Sequence, residues 1–167
     1  MKAIIPLLTL SILTITSCNK QWTDPSLNKT DENFVIMAAF HNLNEIEAGA
    51  LTHTKSLDKA VVEFADKMEY EHREAQNELR TLLESNHLTM RFDENLETMK
   101  LRMIQLKGRT FDSTYVHTHV YYQQNIMKIF QDEIDNGNDQ GLKYYASKYI
   151  NHIKLYNNQA SKLAREF

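Results

Sequence analysis

The placement of helix-breaking residues constrains this chain more than any other feature of its sequence. Both prolines, Pro6 and Pro25, lie near the start, and only four glycines occur in all 167 residues. Proline and glycine supply most turns and helix ends, so a sheet protein of this length needs more of both. The length is enough for one domain with a proper core. From residue 31 to 167 the sequence therefore predicts a single all-α domain of long helices.

The first 18 residues follow a different pattern. Lys2 precedes an uncharged apolar run, which ends in Ile15-Thr16-Ser17-Cys18. A positive start, a short apolar stretch and small residues before a cleavage point are typical of a secretory signal peptide. The only cysteine of the chain occupies the position that is acylated in bacterial lipoproteins. Residues 1–17 are thus predicted to be a lipoprotein signal peptide and Cys18 the lipidated residue. The alternative is an ordinary signal peptide with an incidental cysteine.

Residues 18–30 are predicted to be the lipidated cysteine and a polar tether. Several acyl chains on one cysteine hold a protein stably at a membrane, so the membrane is the predicted partner. Asn19 is not the aspartate that retains some lipoproteins in the inner membrane, which favours the outer membrane with the domain facing the periplasm. The net charge of −3 and the lack of a dense Lys/Arg patch argue against nucleic acid as a partner.

Four long segments after the tether have apolar residues in alternating steps of four and three, which is the spacing of an antiparallel bundle. They are predicted to span about 31–55, 56–85, 110–135 and 139–163. Thr30 or Asp31 is the predicted N-cap of the first, and Asn138 or Asp139 that of the last. The third has the apolar line Val116, Val120, position 123, Met127, Phe130 and Ile134.

Between the second and third segments, residues 86–109 form a longer connector. It is predicted to hold a short helix from about residue 93 to 106, which Gly108 closes as its C-cap. Two helical hairpins joined in this way predict a ferritin-like antiparallel four-helix bundle with a short extra helix in the connector.

Polar residues interrupt three of the apolar lines: His72, Gln123 and Tyr156. Residues equidistant from the turn of an antiparallel hairpin lie at one level, which places Glu45 beside His72 and Gln123 beside Tyr156. A buried polar group without a partner is costly. These four side chains are therefore predicted to form a core polar layer that fixes the register of the helices.

A metal site is the alternative interpretation of the same residues. Glu69-x-x-His72 has the spacing of a di-iron bundle, but the last two helices lack the further carboxylates that such a centre requires. A single metal ion bound by Glu45, Glu69 and His72 is therefore the hypothesis that remains. No other cofactor is predicted.

Other candidate residues give weaker signals. His41 lies one helical turn from Glu45 but is predicted to be a surface residue. His117 and His119 are two residues apart on a helix, so they point in different directions and do not form a chelate. No glycine-rich phosphate loop or Ser/His/Asp arrangement occurs, and the sequence gives no positive support for enzyme activity.

Three runs of the mature chain, at residues 34–49, 62–72 and 106–116, resemble a family of exported bacterial proteins. The motifs are Glu45 with Gly49, an acid followed by His72, and Gly-x-x-Phe-Asp-x-x-Tyr from Gly108 to Tyr115. This domain-of-unknown-function family has a ferritin-like fold, and its members are often labelled outer-membrane proteins. The resemblance covers residues 31–163 and implies one inward histidine on each of three helices. Here His72 matches the first, whereas Gln123 and Tyr156 match the other two.

The sequence therefore predicts a membrane-anchored envelope lipoprotein whose helical bundle has a binding, structural or stress-related role. The alternative is a metal- or redox-cofactor-binding protein with a degenerate site in mid-bundle. A third hypothesis, a partner-binding module, would require an exposed apolar patch on the first helix around Phe40, Leu43 and Leu51.

Overall fold

The computed structural model describes residues 27–86 and 98–167. Within these ranges the regular elements are all helical: α1 Lys29–Lys55, α2 Lys59–Ser85, α3 Met99–Met103, α4 Gly108–Asn136 and α5 Gln140–Leu163, then a 3₁₀ turn at Ala164–Glu166. The predictions for the signal peptide, Cys18 and most of the tether fall on residues 1–26 and lie outside the described residues. The same holds for the start of the predicted connector helix.

The four long helices form two antiparallel hairpins that pack side by side. Helix α1 packs against α2 within the first hairpin, and α4 packs against α5 within the second. Contacts of α1 with α4 and of α2 with α5 close the four-helix bundle, and the short helix α3 lies against α1 and α4. The predicted all-α antiparallel bundle with a short helix in the connector is confirmed.

Helix α1 begins earlier than predicted, and its N-cap is Asn28. The Asn28 side chain accepts hydrogen bonds from the backbone N–H groups of Thr30 and Asp31, and the Asp31 carboxylate accepts one from the Asn28 N–H. This is a capping box, in which two residues satisfy each other's free backbone groups. The prediction of Thr30 or Asp31 as N-cap was wrong because Asp31 acts as the third helical residue.

The connector also ends differently from the prediction. Its described helix, Met99–Met103, is shorter than expected, and Ile104 follows as its C-cap. Gly108 does not close that helix but begins α4, with a backbone φ of 53°. Only glycine adopts this left-handed conformation without steric cost, so Gly108 sets the angle at which the connector turns into α4.

The inward face of α4 differs from the predicted apolar line. Val116, Gln123 and Phe130 are buried as predicted, but between them the buried residues are His119, Ile126 and Glu133. Val120, Met127 and Ile134 are only half-buried. The predicted line and the buried line both have alternating steps of three and four residues. They share every second residue, and the residues between these shared positions differ by one place along the helix, so the buried face is rotated from the predicted one.

The apolar core has two parts, one toward each end of the bundle. The part near the start of α1 includes Phe34, Phe130 and Tyr145, and the other part includes Met68 and Tyr115. Polar side chains occupy the level between them.

Of the patch proposed on α1, Leu43 is partly exposed, whereas Phe40 and Leu51 are half-buried.

Gly49 allows close packing of α1 on α2. A Cβ atom at this position would lie 3.0 Å from the Cβ of Glu69 and 3.1 Å from the backbone oxygen of Ala65. Backbone atoms cannot move aside as a flexible side chain can, so we expect Gly49→Ala to lower the free energy of unfolding by about 1–2 kcal/mol. Urea unfolding measures this, with Ala50→Ser, an exposed position on the next residue, as the control. Equal stability of the two variants would contradict the close packing.

Candidate functional site

Six buried polar side chains lie at the level between the two parts of the core. They come from α1, α2 and α4 and are each at most 6% exposed: His41, Asn42, Glu45, His72, His119 and Gln123. We call this set the polar layer. Three of the four residues predicted for a core polar layer belong to it, and the fourth, Tyr156, is buried nearby on α5.

The strongest interaction in the polar layer joins Glu45 on α1 to His119 on α4. The Nδ1–H of His119 donates a hydrogen bond to Oε2 of Glu45 at 2.8 Å, and both side chains are fully buried. The ring of Phe64 contacts the imidazole edge to face, with 4.9 Å between the ring centroids. Burial opposes ionisation of Glu45, but the nearby His119 outweighs it and lowers the pKa of Glu45 to about 2.

A hydrogen-bond network runs from His72 through Asn42 to α5. Asn42 uses its Nδ2 group to donate to the Tyr145 hydroxyl at 3.0 Å and to Oε1 of Gln76 at 3.2 Å. Its Oδ1 atom must therefore be the acceptor for His72, whose Nδ1 lies 2.9 Å away. The tautomer of His72 is fixed by this arrangement, and the Tyr145 hydroxyl ends the network by donating to the backbone oxygen of Ala75.

The imidazole of His41 packs edge to face on that of His72, with 4.9 Å between the ring centroids. Burial, together with the neighbouring His72, lowers the pKa of His41 to about 3. Burial likewise lowers the pKa of His72 to about 4, although Glu45 acts in the opposite direction. Both rings are thus neutral at physiological pH.

Tyr156 lies beyond His72, toward the surface. Its hydroxyl faces the Glu71 carboxylate, and burial together with this carboxylate raises the pKa of Tyr156 to about 12. His152 also contacts Glu71, at 3.2 Å. Tyr156, His152, His72 and His41 line a cavity of about 10 Å³, which is room for roughly one water molecule.

The four residues predicted to form the polar layer are all buried, but within the described residues no hydrogen bond joins any two of them. Glu45 bonds to His119 and His72 bonds to Asn42, whereas Tyr156 faces Glu71. Within residues 27–86 and 98–167, neither the oxygen nor the nitrogen of the Gln123 side chain has a hydrogen-bond partner. The level of these side chains in the bundle was predictable, whereas their partners were not.

The structure does not assemble the predicted metal ligands. Glu69 is bonded to Arg73 at 2.6 Å and lies 3.7 Å from His53, near the surface. Across residues 27–86 and 98–167, no three His, Cys, Asp or Glu side chains are placed so that they could hold a metal ion. The trio of Glu45, Glu69 and His72 is therefore not a ligand set in this structure, because the Glu69 carboxylate pairs with Arg73 and lies beside His53 instead.

Two histidines of the layer were not predicted as buried residues. His41 is 4% exposed rather than on the surface. His119 is inward, while His117 is exposed, so these two do point in different directions as predicted. Their spacing gave a usable signal: His41 lies four residues before Glu45, and His119 lies four before Gln123, so each precedes an inward residue by one helical turn.

Comparison with known proteins identifies a family and a shared fold. The model of the domain of unknown function DUF4142 matches residues 16–163, and the chain belongs to this family. No curated protein matches the sequence. The resemblance inferred from sequence motifs is thus confirmed, for a family without an assigned activity.

Two solved structures have a similar fold at low sequence identity. One is a DUF305 fragment from Deinococcus radiodurans, with 11% identity and a TM-score of 0.69, covering 86% of this chain and 100% of that one. The other is a conserved hypothetical protein from Mycobacterium tuberculosis, with 10% identity and a TM-score of 0.62, covering 80% and 96%. At these identities the likeness concerns the fold alone.

Proposed function

We propose that this member of the DUF4142 family is an envelope lipoprotein, held at the outer membrane by acylated Cys18, whose bundle has a binding or support role facing the periplasm. The observation that carries the proposal is Cys18 itself, the only cysteine, placed directly after an apolar run and small residues. A role in tolerance of envelope stress is included in the proposal. Within the described residues, no helix is both long enough and apolar enough to cross a membrane.

The N-terminal end of α1 is suited to the attachment of a tether from Cys18. Helix α1 begins at Lys29 after a firm cap, and Asp31 accepts hydrogen bonds from the backbone of Asn138 and Asp139 in the α4–α5 loop. The residues between Cys18 and Asn28 are mostly polar, as a tether in water requires. The bundle would therefore meet the membrane with the end that carries this loop.

A support or binding role agrees better with the polar layer than catalysis does. Its histidines are buried, His41 and His72 are neutral, and the cavity that these two histidines line together has room for about one water molecule. A general acid or base needs a pKa near the working pH and access to a substrate. The layer instead links α1 to α2, α4 and α5 by hydrogen bonds, which stabilises one arrangement of the helices.

The anchor is tested by metabolic labelling with an alkyne fatty acid in the native type of host. We expect the label on the wild-type protein, recovery of that protein with outer membranes, and release of unlabelled Cys18→Ala into the soluble fraction, since only the thiol accepts the acyl group. Ser17→Ala is the matched control, because alanine is also small enough for the position before the cysteine. An unlabelled wild type that fractionates like Cys18→Ala would overturn the proposal.

Metal or redox-cofactor binding, the alternative prediction, retains one supporting observation. Several buried polar atoms of the layer have no hydrogen-bond partner in the part of the chain that the structure describes, among them Nε2 of His41, Nε2 of His119 and Oε1 of Glu45. A shift of these side chains would be needed to bring them around one ion. Elemental analysis of natively purified protein decides the matter, and a stoichiometric metal that is lost in His119→Ala would favour this function over a supporting role.

A further inference from the structure

A larger cavity, of about 280 Å³, opens between α1 and α4. Met37 and Phe40 on α1, with Ile126 and Ile129 on α4, form most of its wall. Ligand sites in proteins are usually apolar pockets of at least about 300 Å³ with a few polar groups that orient the ligand. This cavity lies just below that range, and it is separate from the anchor and from the hydrogen-bonded pairs of the polar layer.

The charge at the rim of this cavity is positive. Lys128 is exposed at the rim, and it forms no ion pair with any of the described residues. No acidic side chain is among the described residues that line the cavity. His41, which also lines it, is uncharged because burial lowers its pKa to about 3. An ammonium group beside an apolar wall favours a ligand with one negative charge.

The volume limits the size of that ligand. About nine water molecules at liquid density would fill 280 Å³, which corresponds to roughly eight to twelve non-hydrogen atoms of an organic molecule. We propose that the cavity binds a medium-chain fatty acid anion, with the alkyl chain between Phe40 and Ile126 and the carboxylate at Lys128. This inference does not depend on the acylation of Cys18.

Sodium octanoate is the probe, and 1-octanol is the uncharged control with the same apolar chain. Saturation-transfer NMR is performed on the full-length Cys18→Ala chain, which carries no acyl group that could compete for the cavity. We expect octanoate to bind with a Kd on the order of 0.1–1 mM and octanol to bind about three- to tenfold more weakly, because it lacks the charge that meets Lys128.

Two variants locate the site. Lys128→Met should weaken octanoate binding about three- to tenfold and leave octanol binding unchanged, whereas Lys154→Met on α5, also an exposed lysine, should change neither. Ile129→Trp should reduce binding of both probes at least tenfold, because the larger ring fills the cavity. Circular dichroism verifies that each variant is folded, and Lys128→Met remains informative if the tryptophan variant is not.

The possible outcomes separate the proposal from its competitors. Equal binding of octanol and octanoate, with no effect of Lys128→Met, would overturn the anion site and leave an apolar cavity only. No binding of either probe would overturn the proposal as well, and is the result expected if another part of this chain or a second copy fills the cavity. Equal losses in Lys128→Met and Lys154→Met would indicate nonspecific attraction to positive charge.

Discussion

Replacing His119 with alanine is expected to lower the free energy of unfolding by about 3–5 kcal/mol, which is a large part of the stability of a typical domain. The substitution leaves the Glu45 carboxylate buried without its hydrogen-bond donor, and the second oxygen of Glu45 already lacks a partner among the described residues. A buried charge that loses its partner costs far more than an exposed ion pair gains. Urea unfolding followed by circular dichroism measures the loss.

His117→Ala is the matched control for this prediction. It removes the same side chain from the same helix two residues earlier, where the histidine is exposed, and should change stability by less than about 0.5 kcal/mol. The double variant Glu45→Leu/His119→Leu should recover most of the loss, because an apolar pair of similar volume has no unpaired charge. If His119→Ala and His117→Ala were equally stable, the pair would not matter for the fold.

The second large effect should come from Glu133, near the end of α4. This carboxyl group is fully buried, and neither of its oxygens meets a hydrogen-bond donor from the described residues, since the group facing it is the carboxylate of Asp31. Burial, together with Asp31 and more weakly Asp139, raises the pKa of Glu133 to about 8, although the Lys143 ammonium acts in the opposite direction. A proton on Glu133 supplies the missing donor to Asp31.

The sign of the pH dependence follows from this raised pKa. Between its ordinary value of 4.5 and about 8, Glu133 is protonated in the folded state and ionised in the unfolded state. Its contribution to stability is therefore complete below pH 4.5 and is lost as the pH rises toward 8. Glu133→Gln, whose amide can donate to Asp31 at any pH, should be about 2–3 kcal/mol more stable than the wild type near pH 8 and nearly equal to it at pH 4.5.

Unfolding midpoints measured from pH 4.5 to pH 8.5 test this difference. Asp135→Asn, which removes one negative charge from an exposed position on the same helix, should stay within about 0.5 kcal/mol of the wild type throughout. The same small, constant difference for Glu133→Gln would show that the two carboxyl groups do not share a proton.

Helix α4 illustrates which structural features could be predicted from the sequence and which could not. Two lines of residues fit the alternating spacing: one continues through Val120 and Ile134, and the other through His119 and Glu133. Hydrophobicity favours the first, because an isolated polar side chain is costly to bury. In the structure the second line faces inward, since His119 meets Glu45 and Glu133 meets Asp31. The cost of burial is offset by partners on another helix.

Local patterns in the sequence thus determined the number of long helices, their pairing into hairpins and the level at which polar residues interrupt the core. Those properties depend on residues a few positions apart, which is the range over which helix periodicity and capping act. The tertiary structure alone decided the rotation of α4, the pairing of Glu45 with His119, 74 residues away, and the cavity beside Lys128. Each of these depends on how separate helices meet, and no spacing within one helix contains that information.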